Sequence, residues 1–124
     1  MKIFIVDDDE MYQKTLHHQL KRKYNDKIDI QVFDSGEKML LFLNPESKPD
    51  LIILDYFLEI NPYSINGYEI LKALKKMVPQ TKVIMVTGGS NADHEDDFVG
   101  AGADDFIIKD GKAIDKICTF INAM

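Results

Sequence analysis

Cysteine is almost absent from this chain. Cys118 is the one thiol among 124 residues, so an internal disulfide is impossible and a reduced, cytoplasmic setting is expected. Basic residues are outnumbered, 15 Lys and Arg against 21 Asp and Glu, for a net charge of −6. That argues against nucleic acid and anionic membrane as direct partners, because both recruit basic patches. No apolar run approaches the roughly 20 residues that a membrane-spanning helix needs, and the first residues lack the basic-then-apolar layout of a secretion signal. Internal repeats, low-complexity segments and linkers are also missing. So are the Gly-rich dinucleotide pattern and the Lys-bearing phosphate loop: Gly88-Gly89 stands alone, which excludes the usual nucleotide-binding signatures.

What is present is regular. The composition, 45% hydrophobic and 29% charged, is that of a folded globular protein. The length suits one domain with one sizeable core, expected over residues 1–124 and leaving no room for a DNA-binding output module. Four short apolar runs stand out: Ile3-Phe4-Ile5-Val6, Leu51-Ile52-Ile53-Leu54, Val83-Ile84-Met85-Val86 and Phe106-Ile107-Ile108. Each is continuous rather than alternating, as strands are when helices cover both faces of a parallel sheet. A weaker run, Ile28 to Phe33, alternates and suits an edge strand.

Between the runs lie helically spaced stretches: Met11 to Tyr24 with Leu16 and Leu20, Gly36 to Leu43 with Met39, Leu40 and Leu43, and Tyr68 to Val78 with Ile70, Leu71, Leu74 and Met77. Asp93 to Gly100 and Lys112 to Ala123 complete the set, and Pro45, Pro49 and Pro79 punctuate helix ends. Strand then helix, five times over, implies an α/β fold: a parallel sheet with right-handed crossovers.

In open parallel sheets, sites form beyond the carboxyl ends of the strands, so the residues following each run carry the argument. Asp7, Asp8 and Asp9 follow the first, Asp55 follows Leu54, Thr87 with Gly88 and Gly89 follows Val86, and Lys109 follows Ile108. Carboxylates, a hydroxyl and an ammonium would meet at one edge. Carboxylate oxygens are what a hard divalent cation such as Mg²⁺ takes as ligands. A cation and a lysine together neutralise a transferring phosphoryl group, and a carboxylate can be the nucleophile that receives it.

Ile5-Val6-Asp7-Asp8-Asp9, Leu51 to Asp55, Val86-Thr87-Gly88 and Gly100 to Lys109, in this order across nearly the whole chain, resemble the receiver domains of two-component response regulators, the chemotaxis-regulator-like family. The resemblance implies a flavodoxin-like receiver fold, a five-stranded parallel sheet of order 2-1-3-4-5 flanked by five helices. It implies a phosphorelay switch: Mg²⁺-dependent transfer of a phosphoryl group from a phosphohistidine of a sensor histidine kinase or histidine phosphotransfer protein to Asp55. A separate output protein or domain would then see a changed surface. Asp7, Asp8, Asp55 and the backbone carbonyl of Phe57 would hold the Mg²⁺. Thr87 would hydrogen-bond the phosphoryl oxygen. Lys109 would pair with Asp55 before transfer and with the phosphoryl group after it. Phe106 would be the aromatic switch that turns inward when Thr87 moves. Such a domain promotes its own phosphorylation and dephosphorylation and turns over no external substrate.

Two features depart from the family pattern. Asp110 stands where a proline usually follows the lysine in a cis peptide. A cis bond before a non-proline residue costs about 2.5–4 kcal/mol, so a trans bond is expected. Glu59 replaces a proline after the acceptor, and Gly67 arrives late, so Ile60 to Asn66 reads as a longer loop, expected over the site.

Simpler readings compete for several residues. Asp9 suits a helix cap, since acids favour helix amino termini. Asp93, Glu95, Asp96 and Asp97 with His94 suit a solvated first helical turn rather than a metal site. His17 and His18 are adjacent on a helix and cannot share a face, and Cys118 suits the core. A pseudo-receiver, the same fold used as a constitutive binding surface, is the main alternative; the intact set Asp8, Asp55, Thr87 and Lys109 favours the phosphoacceptor. An aspartyl-intermediate phosphatase would need a second acid two residues after the nucleophile, where Phe57 stands.

Phosphoryl lifetime follows from the same positions. In-line attack by water is helped by a polar side chain that orients it. By resemblance the positions able to do so are Phe57 and Gly89, which offer no polar side chain. Phosphorylated Asp55 is therefore expected to decay more slowly than in the variant Phe57→Asn with Gly89→Glu, measured after removal of the donor. Equal decay would show that water positioning at these two residues does not set the lifetime.

Overall fold

Every continuous apolar run forms a strand of one parallel sheet. The structure, a computed structural model, describes residues 1–55, 67–88 and 95–124. Strands β1 (Lys2–Val6), β2 (Asp29–Phe33), β3 (Leu51–Asp55), β4 (Lys82–Thr87) and β5 (Asp105–Ile108) alternate with helices α1 (Glu10–Tyr24), α2 (Gly36–Phe42), α3 (Gly67–Met77), α4 (Glu95–Gly100) and α5 (Ala113–Ala123). The sheet order is β2-β1-β3-β4-β5, with every pair parallel. This is the order that the resemblance implied, and the alternating run becomes edge strand β2.

The inner strands β1, β3 and β4 are mostly apolar because both faces are covered. Successive side chains point to opposite faces. Phe4, Val6, Ile52, Leu54, Val83 and Met85 join a core that includes Met39, Leu71 and Phe98 from α2, α3 and α4. Ile3, Ile5, Leu51, Ile53, Ile84, Val86 and Ile107 join a second core with Leu16 and Leu20 of α1 and Ile117 and Ile121 of α5. Cys118 is buried in that second core, as its helical position suggested.

Helix starts follow their caps. The Asp9 carboxylate accepts hydrogen bonds from the amides of Met11 and Tyr12, and Ser35 accepts one from Lys38. Before α5, the Asp110 carboxylate accepts from the amide of Lys112 at 2.8 Å. No cis peptide occurs among the described residues, so the Lys109–Asp110 bond is trans, as expected without proline. One apolar assignment needs correction. Met77, read from its spacing as part of the inward stripe of α3, is 42% exposed. The helix ends there, and Val78 takes the core position while its amide bonds the carbonyl of Leu74 at 2.7 Å.

The far end of the sheet sets the register that later places Lys109. Gly102 has φ +108°, a conformation that favours glycine, and a Cβ there would sit 2.9 Å from Cγ of Lys75. The chain then reaches Asp104, whose carboxylate accepts from the Val83 amide at 2.8 Å and from the Lys75 ammonium at 2.9 Å. Its own amide donates to the Val83 carbonyl at 2.8 Å. Replacing Asp104 with Ala leaves the Val83 amide without its carboxylate acceptor and the Lys75 ammonium with the Thr81 carbonyl but no counter-ion. A loss of about 2–3 kcal/mol is expected in urea unfolding. Lys82→Ala, which removes only the 3.7 Å exposed pairing to Asp104, should cost under about 0.5 kcal/mol.

Candidate functional site

The carboxyl ends of β1 and β3 are neighbours in the sheet, with Val6 paired to Leu54. The next residue of β1's chain, Asp7, and the last of β3, Asp55, therefore converge. Carboxylate oxygens of Asp7, Asp8 and Asp55 all lie within 4.8 Å of one another. Asp7 and Asp55 are buried and Asp8 is exposed, so the cluster opens to solvent on one side. An all-carboxylate, partly open set is the donor chemistry that a hard, water-retaining divalent cation takes, so these residues fit Mg²⁺.

Lys109 arrives from the other side. The β4–β5 register pairs Thr87 with Ile108, and the Lys109 amide then donates to the Thr87 carbonyl at 2.7 Å. From there its ammonium reaches Asp7 Oδ2 at 2.8 Å and Asp55 Oδ2 at 3.3 Å. The resemblance implied that this lysine pairs with Asp55 before transfer; the structure shows that pair and a shorter contact to Asp7. Thr87 is fully buried at the end of β4. Phe106 is half-buried on β5, its ring stacked on Phe98 with centroids 5.7 Å apart, and Phe98 in turn meets Tyr68 edge-on. Phe57, Gly89, His94 and the loop Ile60 to Asn66 lie outside the described residues.

The comparisons with known proteins agree with this fold. The family model for the response regulator receiver domain matches residues 3–122. The chain belongs to the response regulator receiver family. Response regulator protein VraR of Staphylococcus aureus is 32% identical over 117 residues, covering 93% of this chain and 52% of VraR. The chain thus spans about half the length of the curated relatives it matches. The receiver domain of NtrX from Brucella abortus superposes with a TM-score of 0.82 at 26% identity, over 98% of this chain and 96% of that one. The BeF3-activated DrrB receiver domain gives 0.76 at 27% identity, over 98% and 97%.

Within this receiver, two side chains near the carboxylates escaped the sequence reading. The Gln13 amide on α1 donates to the backbone carbonyls of Asp7 and, at 3.2 Å, of Phe33. It ties the ends of β1 and β2 together beside the carboxylates. The Tyr12 ring lies under the Lys109 ammonium, 4.4 Å from ring centroid to nitrogen. A signal for Tyr12 was present: it lies four residues before Leu16 and eight before Leu20, on the inward face of α1. For Gln13 there was none, because a polar residue next to an apolar stripe ordinarily faces water.

Electrostatics divide the cluster. Burial and the Asp7 charge push the Asp55 carboxyl from its ordinary 3.8 up to about 7, against the opposing pull of Lys109. For Lys109, burial works against the charge, but the hydrogen bond to Asp7 and the charges of Asp55 and Asp7 win, and its pKa rises. The fold therefore holds ionised Asp55 at a cost.

That cost has a sign. A carboxyl whose folded pKa lies above its unfolded one binds more protons in the native state between the two values, so stability falls as pH rises from near 4 to about 7. Without added metal, Asp55→Asn should melt about 3 °C or more above the native protein at pH 7.5. The gap should narrow as pH is lowered toward 4.5. A lower melting temperature for the variant at pH 7.5 would mean that the Lys109 pairing outweighs burial.

Proposed function

We propose that this chain, as one receiver unit over residues 1–124, is a phosphoacceptor switch of a two-component phosphorelay, working in the cytoplasm. A carboxylate oxygen of Asp55 attacks the phosphorus of a phosphohistidine on a sensor kinase or histidine phosphotransfer protein. The new O–P bond forms as the P–N bond breaks, and the electron pair leaves with the imidazole nitrogen. The observation that carries this reading is the convergence of Asp7, Asp8 and Asp55 within 4.8 Å with the Lys109 ammonium on two of them. Such a set both offers a nucleophile and supplies the charge needed around a phosphoryl group.

Asp7, Asp8 and Asp55, with the Phe57 carbonyl, would hold Mg²⁺, which when bound offsets charge on the phosphoryl oxygens. Lys109 turns from its carboxylate partners toward the incoming phosphoryl group. Thr87 donates its hydroxyl proton to a phosphoryl oxygen, and the space it leaves is filled by Phe106. A changed surface around α4, β5 and α5 then meets the output protein or domain, a two-state element biased by local charge. The chain modifies itself and turns over no outside substrate. Complete retention of the acid, hydroxyl and lysine set favours this over a pseudo-receiver acting as a constitutive binding module. Neither nucleic acid nor membrane is a direct partner in this reading.

The test is incubation with acetyl phosphate and Mg²⁺, followed by peptide mass spectrometry. One phosphoryl group should appear on Asp55, and none on the Asp55→Asn protein. Asp8→Ala should slow labelling about tenfold or more by removing a metal ligand. Unchanged labelling of Asp55→Asn would refute the assignment.

A further inference from the structure

Lys109 carries its charge on a flexible four-carbon stem with three rotatable donors, yet the proposed chemistry needs the ammonium kept beside Asp55 as it turns from the carboxylates to the phosphoryl group. Its backbone is held through the Thr87 carbonyl and the turn before α5, where Asp110 accepts from the Lys112 amide. A trans Lys109–Asp110 bond carries the chain past the site. Neither contact directs the far end of the side chain. At that end, among the described residues, the ammonium has three neighbours: the carboxylates of Asp7 and Asp55 on one side and the Tyr12 ring at 4.4 Å.

The three neighbours do not have equal permanence. Phosphorylation would convert the Asp55 carboxylate into an acyl phosphate, a mixed anhydride, and a bound cation would engage Asp7. Both carboxylate partners therefore change during the proposed reaction. The ring does not. Its position is set by α1, where the Tyr12 amide is capped by Asp9 at 3.3 Å and its side chain packs against the core shared by α1 and α5. The face of an aromatic ring attracts an ammonium through its quadrupole, more strongly where water is excluded.

The hydroxyl plays no comparable part. The Tyr12 oxygen is buried with no hydrogen-bond partner among the described residues. A buried hydroxyl left unsatisfied destabilises the fold, so any favourable contribution of Tyr12 at the site comes from its ring.

From this geometry we infer that Tyr12 is a positioning residue for the receiver reaction: its ring holds the Lys109 ammonium over Asp55 while both carboxylate partners of that ammonium change. The inference rests on the phosphoacceptor reading, and it places on α1 a determinant of the phosphorylation rate that makes no contact with the phosphoryl group itself.

Three variants and two readouts test it. Tyr12→Phe keeps the ring and removes the stranded hydroxyl. Tyr12→Leu removes the ring, and Tyr12→Met does so with bulk closer to the original, should the leucine variant fold poorly. With acetyl phosphate and Mg²⁺, the ringless variants should label Asp55 about threefold to thirtyfold more slowly than the native protein, and Tyr12→Phe within about twofold of it. The phenylalanine variant should be at least as stable as the native protein to urea. Independently, the NMR signals of the Lys109 methylenes should show the upfield shift of protons above a ring in the native and Tyr12→Phe proteins and lose it in the ringless ones.

Native labelling rates in folded ringless variants would overturn the inference, as would a Tyr12→Phe rate as slow as theirs. Lys109 signals indifferent to ring removal would do the same. If the native protein gains no phosphoryl group at all, the phosphoacceptor reading fails, and the methylene shifts alone decide whether Tyr12 orients Lys109.

Discussion

One ammonium between two buried carboxylates organises the functional end of this domain. Parallel strands deliver Asp7 and Asp55 to adjacent positions because β1 and β3 are hydrogen-bonded neighbours in register. Two anions so close, in a place half removed from water, repel each other and resist ionisation. Lys109 offsets part of that penalty through contacts of 2.8 and 3.3 Å, but not all of it, since the Asp55 carboxyl still sits at about 7. The site is thus left with an appetite for positive charge. A divalent cation bound by the carboxylates would meet it, and the same ammonium would then be free to turn to a phosphoryl group.

The rest of the fold keeps that arrangement in register. Lys109 stands where it does because Thr87 and Ile108 pair across β4 and β5. That pairing is anchored at the opposite end of the sheet by Asp104, which holds Val83 and Lys75. Gln13 fastens the carbonyl ends of β1 and β2, and Asp9 caps the helix that carries Tyr12 beneath the ammonium. The ring column of Phe106, Phe98 and Tyr68 links β5 to α4 and α3. Phe106 is neither sealed in the core nor free in water. A half-buried ring at the end of a stack is a side chain for which two packings can be close in energy.

The fold was legible because burial on two faces leaves an unusual mark: four continuous apolar runs where a one-faced sheet would alternate. The candidate carboxylates, Thr87 and Lys109 were legible for a related reason, since each directly follows such a run and parallel strands all end at the same edge. Met77 was misread because a periodic stripe does not announce where a helix stops; one residue later Val78 enters the core instead. Gln13 was invisible because its role depends on two backbone carbonyls from different strands, and no spacing within α1 encodes them.

Sequence alone determined the order of elements, the parallel sheet and the roster of charged groups at its edge, because these follow from local hydrophobic patterning and the direction of each strand. Tertiary structure alone decided how the charges divide. The preference of Lys109 for Asp7, the raised pKa of Asp55 and the ring under the ammonium all depend on distances and burial. Those are set by register across β1, β3, β4 and β5 and by the packing of α1 against them, between residues as far apart in the chain as Tyr12 and Lys109.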